Sequence, residues 1–178
     1  MSLAVDEPIL NNPFEEPREY WVYEEGQPKR MFGRRPAGYY FRTGKRTDVQ
    51  VEMFVEEQFR ELELVNKIRQ KVKEWSDGGY KGVTGVTERL LQHWNMPDRE
   101  KKLFFCQHEA VETIIYLTEI LPKNPKGLTI PPDIPLETDL TKGYKPLRRY
   151  GCKMATGSGK TLVMAMLAAW SVINKAQY

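Results

Sequence analysis

The sequence is poor in cysteine, in histidine and in long apolar runs, and each shortage excludes a class of protein. Two cysteines in 178 residues are too few for a disulfide scaffold, and the two histidines lack metal-ligand spacing with them. The longest apolar run, residues 162–170, is far shorter than the roughly 20 residues of a membrane-spanning helix. A signal-peptide pattern is also missing. The sequence therefore predicts a cytoplasmic protein without a membrane segment, with both thiols reduced.

Acidic residues are unevenly distributed along the chain. No Asp or Glu follows Asp139, and residues 141–178 hold seven Lys or Arg. The remainder carries 20 basic and 24 acidic residues, a net charge of −4 (20 − 24). A basic block of this kind indicates an anionic partner such as phosphate or nucleic acid. A continuation into acidic sequence outside the 178 residues would explain the block equally well.

What is present indicates a folded chain with four regions. Four Trp, nine Tyr and seven Phe argue against disorder throughout, and the length favours about one domain. Residues 1–46 hold five prolines and an aromatic cluster, and predict an extended arm with a short hairpin that turns at Gly26 and Gln27. The aromatic side chains of this arm are expected to pack on a neighbouring surface rather than to stack on bases.

Residues 47–121 predict a helical region. Thr47 and Gln50 can form a capping box, followed by a helix to about residue 76. A second helix is predicted to begin near Thr84, and a third to cover residues 107–121. The helical pattern of the first rests on apolar residues three and four apart: Val51, Val55, Phe59, Leu62, Val65, Ile68, Val72 and Trp75.

The last two regions predict a crossover followed by a strand, a loop and a helix. Residues 122–146 contain six prolines and are expected to form an extended crossover loop. Residues 150–154 are a strand candidate. Residues 162–173 are apolar nearly all round, which predicts a helix buried on most of its faces. The expected fold is mostly α with a small β component.

The segment ATGSGKT, residues 155–161, lies between the predicted strand and helix, as a phosphate-binding loop requires. Gly157 and Gly159 allow backbone torsions that turn successive N–H groups towards one anion. The helix that follows adds its positive N-terminal end. Lys160 supplies a positive charge for the β- and γ-phosphates, and the Thr161 hydroxyl is a suitable ligand for Mg²⁺.

Two motifs carry a resemblance to a known family. MATGSGKT at residues 154–161 resembles motif I (Walker A, P-loop) of superfamily 2 helicases, particularly the translocase subunits of type I and type III restriction enzymes. FFCQHEAV at residues 104–111 resembles the Q motif that precedes it. The opening NPFEEP at residues 12–17, with Tyr20 and Trp21, is similar to the start of type III restriction Res subunits.

The resemblance implies a function for each matching residue. Gln107 would recognise adenine and Phe105 would form a wall of the base pocket. The loop residues would bind ATP and Mg²⁺, with Lys160 and Thr161 in the catalytic roles. The nucleotide-binding loop residues are Thr156, Gly157, Ser158, Gly159, Lys160 and Thr161. Residues 147–178 would then begin a RecA-like motor domain, and the whole protein would be an ATP hydrolase that acts on DNA, with a methyltransferase modification subunit as a second partner.

The sequence departs from that family pattern in three respects. Met154 stands where the strict loop pattern has glycine. Only 17 residues follow Thr161, and none is the acidic residue that a DExH-like box would supply to hold Mg²⁺ and orient water. A second motor lobe is also missing. These departures predict the N-terminal piece of an ATP-dependent DNA helicase, inactive by itself.

Two other function classes fit the same loop. A small-molecule kinase also uses a phosphate-binding loop, although such kinases place it near the start of a compact domain. A non-catalytic nucleic-acid-binding or interaction module with a vestigial loop is the other alternative. Nucleotide binding distinguishes the motor from this last class.

Overall fold

The computed structural model describes residues 7–24, 26–42, 57–125 and 127–176, and shows mixed α/β structure. The chain divides into two units, Met1–Lys71 and Val72–Tyr178. The strands are β1 (Glu19–Glu24), β2 (Gln27–Phe32), β3 (Gly38–Arg42) and β4 (Glu57–Glu61). The helices are α1 (Glu63–Asp77), α2 (Gly85–Trp94), α3 (Phe105–Ile115), a π-helix (Tyr116–Ile120), α4 (Glu137–Leu140) and α5 (Lys160–Ala176).

The hairpin predicted near Gly26 is confirmed. Strands β1 and β2 pair antiparallel from Glu19 opposite Phe32 to Glu24 opposite Gln27. Gly26 has a φ of 79°, which a side chain would oppose, so glycine suits the turn. Asn11 fixes the start of β1, because its Oδ1 accepts from Arg18 N at 2.8 Å and its Nδ2 donates to Glu19 O at 2.8 Å.

The single helix predicted from residue 47 to 76 is wrong in its described first part. Residues 57–61 form β4, which pairs antiparallel with β3, and α1 begins only at Glu63. The remaining predicted start of the helix, including Thr47 and Gln50, lies outside the described residues. An aromatic pair explains the strand, because the rings of Tyr40 and Phe59 face each other across the hairpin with centroids 5.1 Å apart.

Strand β3 is also joined to the beginning of α1. Ala37 N donates to Asn66 Oδ1 at 2.8 Å, and Asn66 Nδ2 donates back to Ala37 O at 3.3 Å. Leu62 N donates to the same carbonyl at 2.8 Å. The residues on either side of the hairpin therefore share one hydrogen-bonded corner, which stops the helix from extending back into β4.

The second unit packs α2, α3, the π-helix and α5 around one apolar core. Thr84 is the predicted N-cap of α2, and its hydroxyl accepts from Thr87 N at 3.2 Å. The helix predicted over residues 107–121 begins two residues earlier and changes to π-helical geometry at Tyr116. Leu121 N donates to Tyr116 O at 2.9 Å, the five-residue step of a π-helix.

The region before the loop differs from the prediction. The crossover over residues 122–146 contains the short helix α4, and Asp133 forms an isolated bridge with Leu147 and an ion pair with Arg149 at 3.2 Å. The strand predicted at residues 150–154 does not form within the described ranges, because no other segment there offers its backbone groups a partner. A RecA-like parallel sheet is therefore not confirmed.

Helix α5 is present, but its predicted burial on most faces is wrong. Val163 and Met166 are its buried residues, whereas Met164 is 67% and Val172 65% exposed. The neighbours of α5 are α2 and α3, which cover one side of the helix. The apolar composition of α5 on all its faces therefore did not show how many of those faces would be buried by neighbouring helices.

A buried polar network fixes α5 to its neighbours. Thr87 is fully buried, and its hydroxyl donates to Glu119 Oε2 at 2.8 Å while accepting from Trp170 Nε1 at 2.9 Å. Asn174 Nδ2 also donates to the Thr87 hydroxyl, at 3.3 Å, and Asn174 Oδ1 accepts from the Thr84 hydroxyl at 2.7 Å. Glu119 in turn accepts from Thr84 N. One hydroxyl therefore links α2, the π-helix and α5.

A second polar cluster lies between α1 and α3 in the same unit. Tyr80 donates to Glu112 at 2.6 Å, and accepts from Ser76 at 3.0 Å and from Asn95 at 3.2 Å. Burial raises the pKa of Glu112. Burial and the adjacent Glu112 carboxylate together raise the pKa of Tyr80 to about 12. The tyrosine therefore stays protonated and keeps its hydrogen bond to Glu112 at neutral pH.

Each helix in the described residues is too short or too polar to cross a lipid bilayer.

Replacement of Thr87 by Val tests the network that anchors α5. Valine keeps the shape of threonine but leaves the Glu119 carboxylate, Trp170 Nε1 and Asn174 Nδ2 short of a partner. We expect the free energy of unfolding to fall by about 2–4 kcal/mol, measured by chemical denaturation. Thr138→Val, on the exposed surface of α4, is the matched control and should change stability little. Equal stabilities of the two variants would contradict the role of the network.

Candidate functional site

Residues 155–159 form a tight loop that leads directly into α5. Gly157 has a φ of 80° and Gly159 a φ of 77°, both in the region that favours glycine. Between them, Ser158 closes the turn, because its N–H and its hydroxyl both donate to Ala155 O, at 3.3 and 2.7 Å. The two glycines and this turn give the loop the sharp curvature predicted from the sequence.

The N-terminal end of α5 presents backbone donors at the loop. The backbone ladder of the helix starts with Leu162 N donating to Gly159 O at 2.9 Å. Within the described residues, the N–H groups of Lys160 and Thr161 donate to no acceptor. Both residues are exposed, so their N–H groups and the positive end of the helix dipole can reach an anion.

The Lys160 side chain extends from the start of α5 to the beginning of the loop. Its ammonium donates to Ala155 O at 2.9 Å and to Met154 O at 3.3 Å. An ammonium group has three donors, so two are used and the third remains. The positive charge predicted for phosphate binding therefore lies over the loop.

Gln107 is buried against the same loop, with 4% of its surface exposed. Its Nε2 donates to Ser158 O at 3.0 Å, and its Oε1 accepts from Phe104 N at 2.9 Å. A Cβ on Gly159 would lie 2.2 Å from Gln107 Nε2, which no real contact allows. The absence of a side chain at Gly159 is therefore what lets the carboxamide reach the loop.

Burial favours the neutral forms of three side chains that flank the site residues in the sequence: Cys106, His108 and Cys152. Burial raises the pKa of the Cys106 thiol, which keeps the thiol protonated. Burial, with a smaller contribution from the Arg99 charge, lowers the pKa of His108 and favours the neutral imidazole. Burial also raises the pKa of Cys152. Lys160 therefore supplies the side-chain charge that lies over the loop itself.

Thr161 is the residue that the sequence predicts as a ligand for Mg²⁺. No group of three or more His, Cys, Asp or Glu side chains suited to a metal occurs in the described part of the chain. The Thr161 hydroxyl is on the exposed first turn of α5. A magnesium ion here would therefore depend on Thr161, on nucleotide phosphates and on water, a mode common for Mg²⁺.

The structure brings the predicted site residues from two distant segments together. Gln107 of α3 contacts Ser158 and Gly159, which lie about fifty residues later in the chain. Phe105 is the first residue of α3 and is half-buried. The predicted loop residues Thr156, Gly157, Lys160 and Thr161 are exposed.

Sequence reasoning missed two parts of this arrangement. It did not assign the Phe104 amide as a partner of Gln107, although a Gln three residues after a helix N-cap often accepts that hydrogen bond. It also missed Thr87 and Asn174, which hold α5 in position. No local pattern marks these two residues, because their partners lie far away in the sequence.

The chain matches no protein-family model, no curated protein and no solved structure.

Two glycine substitutions separate backbone strain from the contact with Gln107. Gly157→Ala adds a side chain at positive φ in open space, and we expect a loss of about 1–2 kcal/mol in the free energy of unfolding. Gly159→Ala adds the same strain together with the collision at Gln107 Nε2, so its loss should be greater. Thermal and chemical denaturation of both variants measure the difference.

The double variant Gly159→Ala with Gln107→Ala provides the control. Removal of the carboxamide relieves the collision, so the two changes should be less destabilising together than the sum of their separate effects. Equal losses for Gly157→Ala and Gly159→Ala, or strict additivity in the double variant, would show that Gly159 is not required by Gln107.

Proposed function

We propose that the loop at residues 155–161 binds Mg·ATP, and that the chain is the N-terminal part of an ATP-dependent DNA helicase or translocase of a restriction system. The observation that carries this proposal is the contact of the buried Gln107 carboxamide with the loop backbone at Ser158. It joins the residue expected to recognise the base to the residues expected to hold the phosphates.

Three features of the phosphate end of the site would attract an anion. The N–H groups of Lys160 and Thr161 have no acceptor within the described residues, and the helix dipole adds positive potential. The Lys160 ammonium can exchange its carbonyl partners for phosphate oxygens. The neutral side chains of Cys106, His108 and Cys152 would bind an anion weakly. Lys160 is therefore expected to contribute most to phosphate affinity.

The base end has a carboxamide with spare hydrogen-bonding capacity. Gln107 uses one lone pair of Oε1 for Phe104 N and one N–H of Nε2 for Ser158 O. One acceptor and one donor therefore remain. Adenine offers the complementary pair, since its N6 amino group donates and its N7 accepts. Phe105 would provide an apolar wall for the base.

The resemblance implies that hydrolysis also needs a carboxylate that follows the loop in the sequence. Bound Mg²⁺ would neutralise charge on the phosphates, with Thr161 as its protein ligand. The sequence after Thr161 has no carboxylate to orient an attacking water. We therefore expect nucleotide binding with negligible turnover by this chain. DNA and a modification subunit are proposed as partners of the whole protein on the family resemblance.

Removal of the Lys160 charge tests phosphate binding. Mg·ADP and Mg·ATP are titrated into the chain by calorimetry, with thermal stability followed in parallel. We expect Lys160→Ala to weaken nucleotide affinity by about tenfold or more, because a charge-assisted hydrogen bond to phosphate is lost. Lys175→Ala removes the same charge at the other end of α5 and should leave affinity unchanged. Absence of nucleotide binding to the unmodified chain would refute the proposal.

Replacement of Gln107 by Met tests base recognition. Methionine has a similar length but cannot pair with adenine, so the preference for ADP over GDP should shrink several-fold. The preference is measured as a ratio of affinities, which separates base recognition from a general loosening of the loop. Gln92→Met, on the exposed side of α2, is the matched control. An unchanged ratio in Gln107→Met would show that Gln107 acts only on the loop.

A further inference from the structure

One face of the β3–β4 hairpin combines aromatic and polar side chains. Alternation along the strands places Tyr39 and Phe41 of β3 on this face together with Gln58 and Arg60 of β4. The register sets Tyr39 opposite Arg60 and Phe41 opposite Gln58. We call these four residues the Tyr39 face.

The opposite face accounts for the stability of the hairpin. Tyr40 and Phe59 pack together there, and the Phe59 ring covers Gly38, where a Cβ would come within 2.6 Å of two ring atoms. The Arg35 guanidinium lies 5.5 Å from the centre of the Tyr40 ring. Contacts on that face therefore stabilise the register and pairing of the two strands.

The side chains of the Tyr39 face are accessible. Tyr39 is 44% exposed, and its ring centroid lies 6.1 Å from that of Phe41, which is half-buried. Gln58 and Arg60 are both exposed. Arg60 has no ion-pair partner among the described residues. Tyr39 is thus packed beside Phe41 and partly exposed.

Charge indicates the kind of partner. Residues 26–46 contain seven Lys or Arg and no acidic residue. Three of these basic side chains pair with glutamates around the β1–β2 hairpin: Lys29 with Glu24, Arg30 with Glu19 and Arg34 with Glu16. Arg35 lies over the Tyr40 ring on the opposite face, so the register leaves Arg60 as the basic residue beside Tyr39. On β4, Glu61 alternates to the face opposite Tyr39. The Tyr39 face therefore combines two aromatic rings with the positive charge of Arg60, and none of its four residues is a carboxylate.

We infer that the Tyr39 face binds single-stranded nucleic acid, with unpaired bases stacked on Tyr39 and Phe41 and a phosphate held by Arg60. Every base has a flat π-face, so rings of this kind bind single strands with little sequence preference. A duplex keeps its bases stacked inside and cannot use the rings in this way. This inference does not depend on nucleotide binding at residues 155–161.

An anionic membrane surface is the other ligand with complementary charge. A membrane-inserting face needs a continuous apolar patch, often with Trp, Phe or Leu. Gln58 and Arg60 lie directly across from the two rings, and their polar groups would be buried in lipid. The alternation of ring and polar group therefore favours nucleic acid.

The test measures binding of a fluorescent 20-nucleotide poly(dT) strand to the full chain by anisotropy, at several salt concentrations. We expect Tyr39→Ala with Phe41→Ala to weaken affinity about fivefold or more at each salt concentration and to leave the salt slope unchanged. Arg60→Gln should lower the slope by about 1, because one phosphate contact is lost. Tyr39→Phe keeps a ring and should retain affinity, which separates stacking from a misfolded hairpin.

Tyr23→Ala, on the exposed side of the β1–β2 hairpin, removes a tyrosine of similar exposure and should leave affinity unchanged. Poly(U) of the same length tests RNA, and a duplex of equal length should bind more weakly than either single strand. Lys160→Ala should bind the strand normally even where it loses ADP, so a failure of the proposed nucleotide site would leave this result standing.

Three outcomes would overturn the inference. The first is a chain that binds none of the strands, and the second is a double variant that binds poly(dT) as well as the unmodified chain does. The third is binding to vesicles of phosphatidylserine and phosphatidylcholine that exceeds binding to the strands and falls with the same ring substitutions.

Discussion

The arrangement of the second unit depends on one carboxamide. Gln107 lies almost fully out of solvent, and a buried amide is stable only when its donors and acceptors find partners. One acceptor site of Gln107 is filled by the Phe104 amide on its own helix, and one donor by the Ser158 carbonyl of the loop. The beginning of α3 and the beginning of α5 are thereby held together at their N-terminal ends, so that the donors of the loop and the side chain of Gln107 converge on one place.

A second constraint acts at the other end of α5. Thr87 receives hydrogen bonds from Trp170 and Asn174, about one helical turn apart, and passes one to Glu119. The helix is therefore held near its start by the loop contact and towards its end by this hydroxyl. Between these two points Val163 and Met166 are buried. Polar contacts fix the position of the helix, and the apolar contacts fill the space between them.

Features determined by neighbouring residues could be predicted from the sequence. The β1–β2 turn depends on Gly26, the start of α2 depends on Thr84, and the curvature of the loop depends on Gly157 and Gly159. Each of these is a local conformational preference that acts within a few residues. The sharp turn of the loop could therefore be predicted from the sequence.

Features determined by distant partners could not be predicted. Residues 57–61 have apolar spacing compatible with a helix, but pairing with β3 makes them a strand, and Phe59 finds Tyr40 and Gly38 there. Residues 150–154 have strand-like composition, yet no described segment pairs with them. The sequence overestimated the burial of α5. Its apolar composition shows that many of its side chains could be buried, but it does not show which elements pack against them.

The π-helix has a consequence for how this chain tolerates change in length. A π turn holds one more residue than an α-helix needs for the same bond pattern, and this extra residue brings Glu119 to Thr84 and Thr87. Deletion of one residue there would return the turn to regular α geometry and change the direction in which Glu119 projects. The carboxylate would then lose its present alignment with Thr84 and Thr87. The structure of this segment therefore depends on the number of its residues as well as on their types. A substitution within it should be tolerated better than the deletion of one residue.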